Sequence, residues 1–159
     1  MITYAVERWQ DCWREMEPLW REHWREVALD HEKVPLDPRI KMYEAMQNAG
    51  ALQVLIVRQR GSVIGYHIAK IEPHLHYGST LHAFTDVYYI KPDCRRMPTV
   101  GVRLFREAHR CLKARGVKKI YTASKAFTIS PVTGKSLDMA AIFESEGMRP
   151  TEVVYTKLL

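Results

Sequence analysis

Residues Asp86 to Arg115, DVYYIKPDCRRMPTVGVRLFREAHRCLKAR, constrain the fold more than any other stretch. A buried-looking strand runs to Ile90, and a Pro/Arg/Thr/Gly turn follows. Apolar and small residues then recur at helical spacing at Gly101, Leu104, Ala108, Cys111 and Leu112. Such a turn leaves unpaired backbone N–H groups at a helix N-terminus, which makes an anion site. Arg95 and Arg96 stand beside it, so the turn suits a pyrophosphate. The helix closes at Arg115-Gly116, with a basic last turn and a glycine stop.

Residues 2–8 read as an edge strand. From Trp9 the spacing changes to threes and fours: Trp9, Cys12, Trp13, Met16, Leu19, Trp20, Trp24 and Val27 form the stripe of an amphipathic helix. Core packing explains the four tryptophans more simply than a partner surface, since aromatics dominate core burial. Residues 28–38 read as a loop. Asp37 as cap and Pro38 in the first turn start a second helix, which Gly50 ends. ALQVLIVRQ and SVIGYHIAKIEP are strands joined by a turn at Arg60-Gly61. HLHYGST connects to a third strand over residues 81–90. After the central helix come a short strand at KKIYTAS, a loop over residues 125–136, a short helix at DMAAIFESEG and a final strand at TEVVYTKLL. The order predicts one α/β domain over residues 1–159, with a mixed sheet of about six strands and about four helices on its faces.

The 159-residue length suits one domain with a sizeable core. No apolar run approaches the roughly 20 residues of a membrane helix, and MITYAVERWQ lacks a signal-peptide pattern. The three cysteines, Cys12, Cys94 and Cys111, have no CxxC spacing and no paired His/Asp arrangement, so free thiols and a cytoplasmic location are expected. Much of the +6 net charge lies between Lys91 and Lys119, but without an uninterrupted stripe or a tail. A phosphorylated ligand therefore fits better than nucleic acid or a membrane surface.

At this point the chain resembles the GCN5-related N-acetyltransferases, in their bacterial and phage forms. The likeness covers nearly the whole chain: two helices after the first strand, a three-strand meander, then strand–turn–helix. The family's Arg/Gln-x-x-Gly-x-Gly/Ala motif corresponds to Arg96-Met97-Pro98-Thr99-Val100-Gly101, with Thr99 at the first glycine. Ile90-Lys91-Pro92 fits its Val-x-Pro, and Ile142-Phe143-Glu144-Ser145-Glu146-Gly147-Met148 echoes its Leu-Tyr-x-x-x-Gly-Phe. The resemblance implies acetyl-CoA as co-substrate and direct attack by a primary amine, in a small molecule or peptide, within a ternary complex. It implies cofactor contacts from Tyr89, Ile90, Arg95, Arg96, Met97, Thr99, Val100, Gly101, Val102 and Phe143. It also implies a thioester-polarising N–H near Tyr89 or Ile90. Thr99 requires ordinary backbone angles in the turn, and Pro98 removes one donor.

A lysine-like amine is almost wholly protonated at neutral pH, so transfer needs a base or a water chain. Asp86 is the candidate base, because its apolar and aromatic neighbours would desolvate it. Glu72 is a second candidate. Phe143 stands where the family often has a tyrosine that protonates the leaving thiolate. Tyr121 is therefore the candidate acid, with Tyr88 and Tyr89 as alternatives. His74, His76 and His82 lack a completing carboxylate or cysteine for a metal site, and no metal is expected. These histidines, with His31, Glu32 and Tyr43, are expected near the acceptor pocket. Two non-enzymatic alternatives remain on the same residues. One is a CoA-binding protein that lacks catalysis. The other is an interaction module, a homodimer included, docking through the tryptophan-bearing helix.

Overall fold

The computed structural model describes residues 1–97 and 99–159; the donor expected to be missing at Pro98 lies outside them. The elements are β1 (Ile2–Val6), α1 (Trp9–Val27), α2 (Ile40–Asn48), β2 (Leu52–Gln59), β3 (Ser62–His74), β4 (Tyr77–Ile90), α3 (Val100–Ala114), β5 (Val117–Tyr121), β6 (Lys125–Ile129), β7 (Ser136–Leu137) and α4 (Ala140–Ser145). A 3-10 turn at Pro92–Cys94 lies between β4 and α3. The sheet order is β1-β2-β3-β4-β5, with β6 and β7 forming a separate hairpin. The first four strands pair antiparallel, and β5 joins β4 parallel through the α3 crossover.

Both faces of the sheet are covered, which explains the continuous apolar run of β2. Val54 and Ile56 face α1, packing with Trp9, Cys12, Met16 and Trp20. Leu55 and Val57 face α3, packing with Val100, Leu104 and Ala108. The tryptophan stripe is thus largely used inside the molecule. Trp9 and Trp20 are buried and Trp13 packs against the same core. Arg8 offers no side-chain cap to α1. Instead Gln47 of α2 accepts the Trp9 N–H at 2.5 Å and donates to the Glu7 carbonyl at 3.1 Å. That exchange satisfies a helix-end donor and locks α2 onto α1.

Four expectations need correction. The sheet has five strands, because residues 151–159 form no strand and lie exposed. The 125–136 segment is a hairpin rather than a loop. β4 begins at Tyr77, so β3 and β4 meet in a tight hairpin with His74 opposite Tyr77. The second helix starts at Ile40: the Met42 and Tyr43 amides both donate to the Arg39 carbonyl, which makes Arg39 the cap. Asp37 and Pro38 remain in the preceding loop.

Candidate functional site

The pairing of β4 makes the site. β5 pairs only with residues Leu81 to Phe84, so the later half of β4 keeps β3 on one side and nothing of β5 on the other. At the fork, the Thr85 and Thr122 hydroxyls meet at 2.8 Å. Beyond it, the Tyr88 hydroxyl donates across the gap to the Ala123 carbonyl at 2.9 Å. A cleft of about 1150 Å³ opens here, walled by α1, the 28–38 loop, β4, the N-terminus of α3 and the β6–β7 hairpin.

Asp86 sits at a break in the ladder. Ile68 pairs with Val87 and Ala69 with Thr85, so Asp86 is the extra residue of a β-bulge. The bulge aims its carboxylate into the cleft, where it accepts the Tyr43 hydroxyl at 2.7 Å. Burial and then the hydrogen bond to Asp86 push the Tyr43 phenol well above its ordinary value, so Tyr43 remains a donor. Asp86 itself is exposed, and the desolvation expected of it is not found.

Alternation along β4 decides which backbone groups face the cleft. The Lys91 N–H donates to the Ile64 carbonyl at 2.9 Å. The backbone of Tyr89 therefore also faces β3, while the backbone groups of Tyr88 and Ile90 turn to the open side. The Ile90 carbonyl is already taken, accepting from Arg95 Nε at 2.7 Å.

Arg95 has other work besides. Its guanidinium forms two bonds, at 2.6 and 2.5 Å, to the Glu26 carboxylate near the end of α1. It also lies 5.3 Å above the Tyr89 ring. Glu26 is 3% exposed and accepts the buried Ser130 hydroxyl at 2.7 Å. Burial raises the Glu26 carboxyl, but the bonds from Arg95 and Ser130 outweigh it and hold the group below its ordinary value. One ionic cluster thus ties together α1, the β4–α3 turn and the β6–β7 hairpin.

Arg96 is exposed like Arg95 but has no ion-pair partner among the described residues. Thr99 holds φ −118°, an ordinary angle, and caps α3 without a side-chain bond. Arg103 makes the first intrahelical bond, to the Thr99 carbonyl, and among the described residues the Gly101 and Val102 amides of the first turn have no backbone partner. The Met97 and Val100 amides are engaged within the turn, to Cys94 and Met97 carbonyls. Arg96, Met97, Val100, Gly101 and Val102 all line the cleft. An anion with several oxygens fits this corner.

Other candidates fall elsewhere. Tyr121 does not line the cleft; its ring stacks on Phe84 at 4.9 Å, under the Lys119 ammonium. Phe143 is 8% exposed and packs edge-on against Tyr88 and Phe105 behind the cleft wall. His74, His76 and His82 cluster around the β3–β4 hairpin, with Glu72 paired to His82, at the far end of β4 from the cleft. No group able to hold a metal ion occurs among the described residues. His31 folds back on Trp24 with its ring 4.2 Å away, and of the α2-side candidates Tyr43 alone reaches the lining. Burial pushes the Tyr88 hydroxyl up to about 12.

Sequence reasoning missed His23, Glu26, Tyr66 and Ser130. His23 Nδ1 lies 2.9 Å from the Tyr66 hydroxyl and its ring stacks on Tyr89 at 4.8 Å. Burial pushes it down to about 4, so it is neutral in the cleft wall at physiological pH. A signal existed: Trp20, His23 and Glu26 continue the inward stripe of α1, and an acid on an apolar stripe demands a buried cation.

No protein-family model and no curated protein matches the sequence. Solved structures do match along the full chain. An aminoglycoside acetyltransferase from an uncultured soil metagenomic sample superposes with a TM-score of 0.74 at 12% identity, covering 100% of this chain and 99% of that one. A ribosomal-protein-alanine N-acetyltransferase from Brucella melitensis biovar Abortus 2308 gives 0.68 at 16% identity, covering 100% and 99%. A predicted acetyltransferase from Clostridium acetobutylicum, solved with acetyl-CoA, gives 0.64 at 13% identity, covering 100% and 96%. The chain has the fold of the GCN5-related N-acetyltransferases.

Proposed function

We propose that the protein is an acetyl-CoA-dependent N-acetyltransferase that passes the acetyl group directly to a primary amine. The observation that carries this reading is the splayed half of β4, ending in a turn whose first-turn amides and Arg96 have no partner among the described residues and suit a pyrophosphate. Acetyl-CoA supplies a thioester to be attacked and phosphates to be held. The Gly101 and Val102 amides and the Arg96 guanidinium are the groups suited to the phosphates. The Ile90 N–H, turned to the open side, is suited to polarise the thioester carbonyl as its oxygen gains charge.

The base is Asp86, which the bulge aims into the cleft beside the protonated Tyr43 hydroxyl. It takes the proton that the attacking ammonium must lose, directly or through one water. The acid is Tyr88 rather than Tyr121. Tyr88 lines the cleft and keeps its hydroxyl protonated, whereas Tyr121 stacks on Phe84 outside it. As the carbon–nitrogen bond forms and the carbon–sulfur bond breaks, the Tyr88 proton goes to the departing thiolate, the nitrogen's remaining extra proton leaves to water, and water returns Tyr88 and Asp86 to their starting protonation states.

The test is thiol release from acetyl-CoA over a panel of primary amines, for wild type and for Asp86→Asn. Amine-dependent release that falls about 100-fold or more in Asp86→Asn, with acetyl-CoA affinity kept, supports the assignment. Binding of acetyl-CoA without release for any amine would favour the non-catalytic binder. That second reading has its own observation, since Phe143 carries no proton to donate.

A further inference from the structure

The cleft carries information on the acceptor. Among the described residues that line it, the carboxylates are Glu26, Asp37, Asp86 and Asp93. The cations are Arg95, Arg96, Lys125 and Lys135. The charges balance, and Glu26 is consumed by Arg95. A polycationic acceptor requires a surplus of free carboxylates, which is not present here.

The walls are apolar. The rings of Trp20, Trp9 and Tyr43 stack in series, at 5.7 and 4.4 Å, and Tyr43 bonds the Asp86 carboxylate. At the mouth, Leu29, Val34 and Leu36 of the 28–38 loop stand 54%, 53% and 38% exposed, and Val132 of the β6–β7 turn stands 56% exposed. All four line the cleft. Apolar side chains held at a cleft mouth gain by burial against an apolar ligand. The Asp86 carboxylate, held beside the Tyr43 ring, complements one ammonium.

We propose that the acceptor is a small amine with one positive charge and an apolar aryl or branched-alkyl body. Its ammonium sits on Asp86, and its body lies between the 28–38 loop and the β6–β7 turn. The proposal rests on the acetyl-transfer reading for its chemistry, but its binding can be measured without that chemistry. Trp20 and Trp24 line the cleft, so their fluorescence reports occupancy.

The experiment titrates the protein with 2-phenylethylamine, spermidine and kanamycin, and repeats the titrations on Leu36→Ser and Val132→Ser, both changes at exposed positions. Acetyl-CoA binding is measured in parallel by calorimetry. The expected result is 2-phenylethylamine binding at least about tenfold tighter than either polycation. That binding should weaken about threefold or more in each variant, with acetyl-CoA affinity unchanged. Equal or tighter binding of spermidine or kanamycin, or no binding of 2-phenylethylamine, overturns the acceptor class even if acetyl-CoA binds. If 2-phenylethylamine binds as expected and acetyl-CoA does not, the acceptor class stands and the transfer reading fails.

Discussion

At the residue scale, two positions carry sharp consequences. Asp86 owes its place to one inserted residue in β4, which no periodicity in the sequence announces. The sequence marked Asp86 as a polar intrusion in an apolar strand, but its bulge and its bond to Tyr43 appear only when β3 and α2 are docked. Tyr43→Phe keeps the aromatic stack on Trp9 and removes only the bond to Asp86. Its expected effect is a fall in turnover of about tenfold, with the acetyl-CoA KM unchanged, read by steady-state kinetics. Gly65 is the second position. A Cβ there would press on the Tyr89 carbonyl and on Ile90, its partner across the strands. Gly65→Ala should therefore cost about 1 to 3 kcal/mol in urea unfolding and disturb the β4 edge that faces the cleft. Unaltered stability would mean that the strands separate more easily than their burial suggests.

Among the elements, the strands and helices of the first two-thirds were legible because their spacing repeats over many residues. α1, β2, β3 and α3 all follow from apolar periodicity and glycine stops. The hairpin of β6 and β7 was not, because its exposed residues carry no alternation, and it is anchored by Ser130 to Glu26 on a distant helix. The terminal TEVVYTKLL misled in the opposite direction: its alternation is strand-like, yet no neighbour pairs with it. The arginines of the β4–α3 turn show the same limit. Adjacent in sequence and alike in chemistry, Arg95 reaches in to the buried Glu26, with its own side chain still 32% exposed, while Arg96 has no ion-pair partner among the described residues. Their substitutions should separate cleanly. Arg95→Ala leaves a buried carboxylate unpaired and should cost about 2 to 4 kcal/mol of stability. Arg96→Ala should leave the thermal midpoint within experimental error. Equal melting temperatures for the two variants would contradict the inward role of Arg95.

At the scale of the whole molecule, the folded state holds histidines that resist protonation. Burial lowers His23 to about 4 and His67 to about 3, against 6.5 for an open histidine. The unfolded chain therefore takes up protons below about pH 6.5 that the folded chain refuses. The stability these groups contribute is complete above that pH. It is lost as pH falls, down to about 4 for His23 and about 3 for His67. The loss is roughly 3 kcal/mol for His23 and roughly 5 kcal/mol for His67. His23→Gln should flatten the stability curve between pH 6.5 and 4, measured by denaturation at a series of pH values; an unchanged slope would place His23 in a more hydrated setting than its packing on Tyr89 indicates.

The central claim is that the turn after β4 holds the phosphates of acetyl-CoA. Calorimetric titration of acetyl-CoA into the wild type and Arg96→Ala tests it most directly. Micromolar binding is expected in the wild type, weakened about tenfold in the variant through loss of a charge-assisted contact. Absence of heat with a folded wild-type protein, or equal affinity in both, would contradict it.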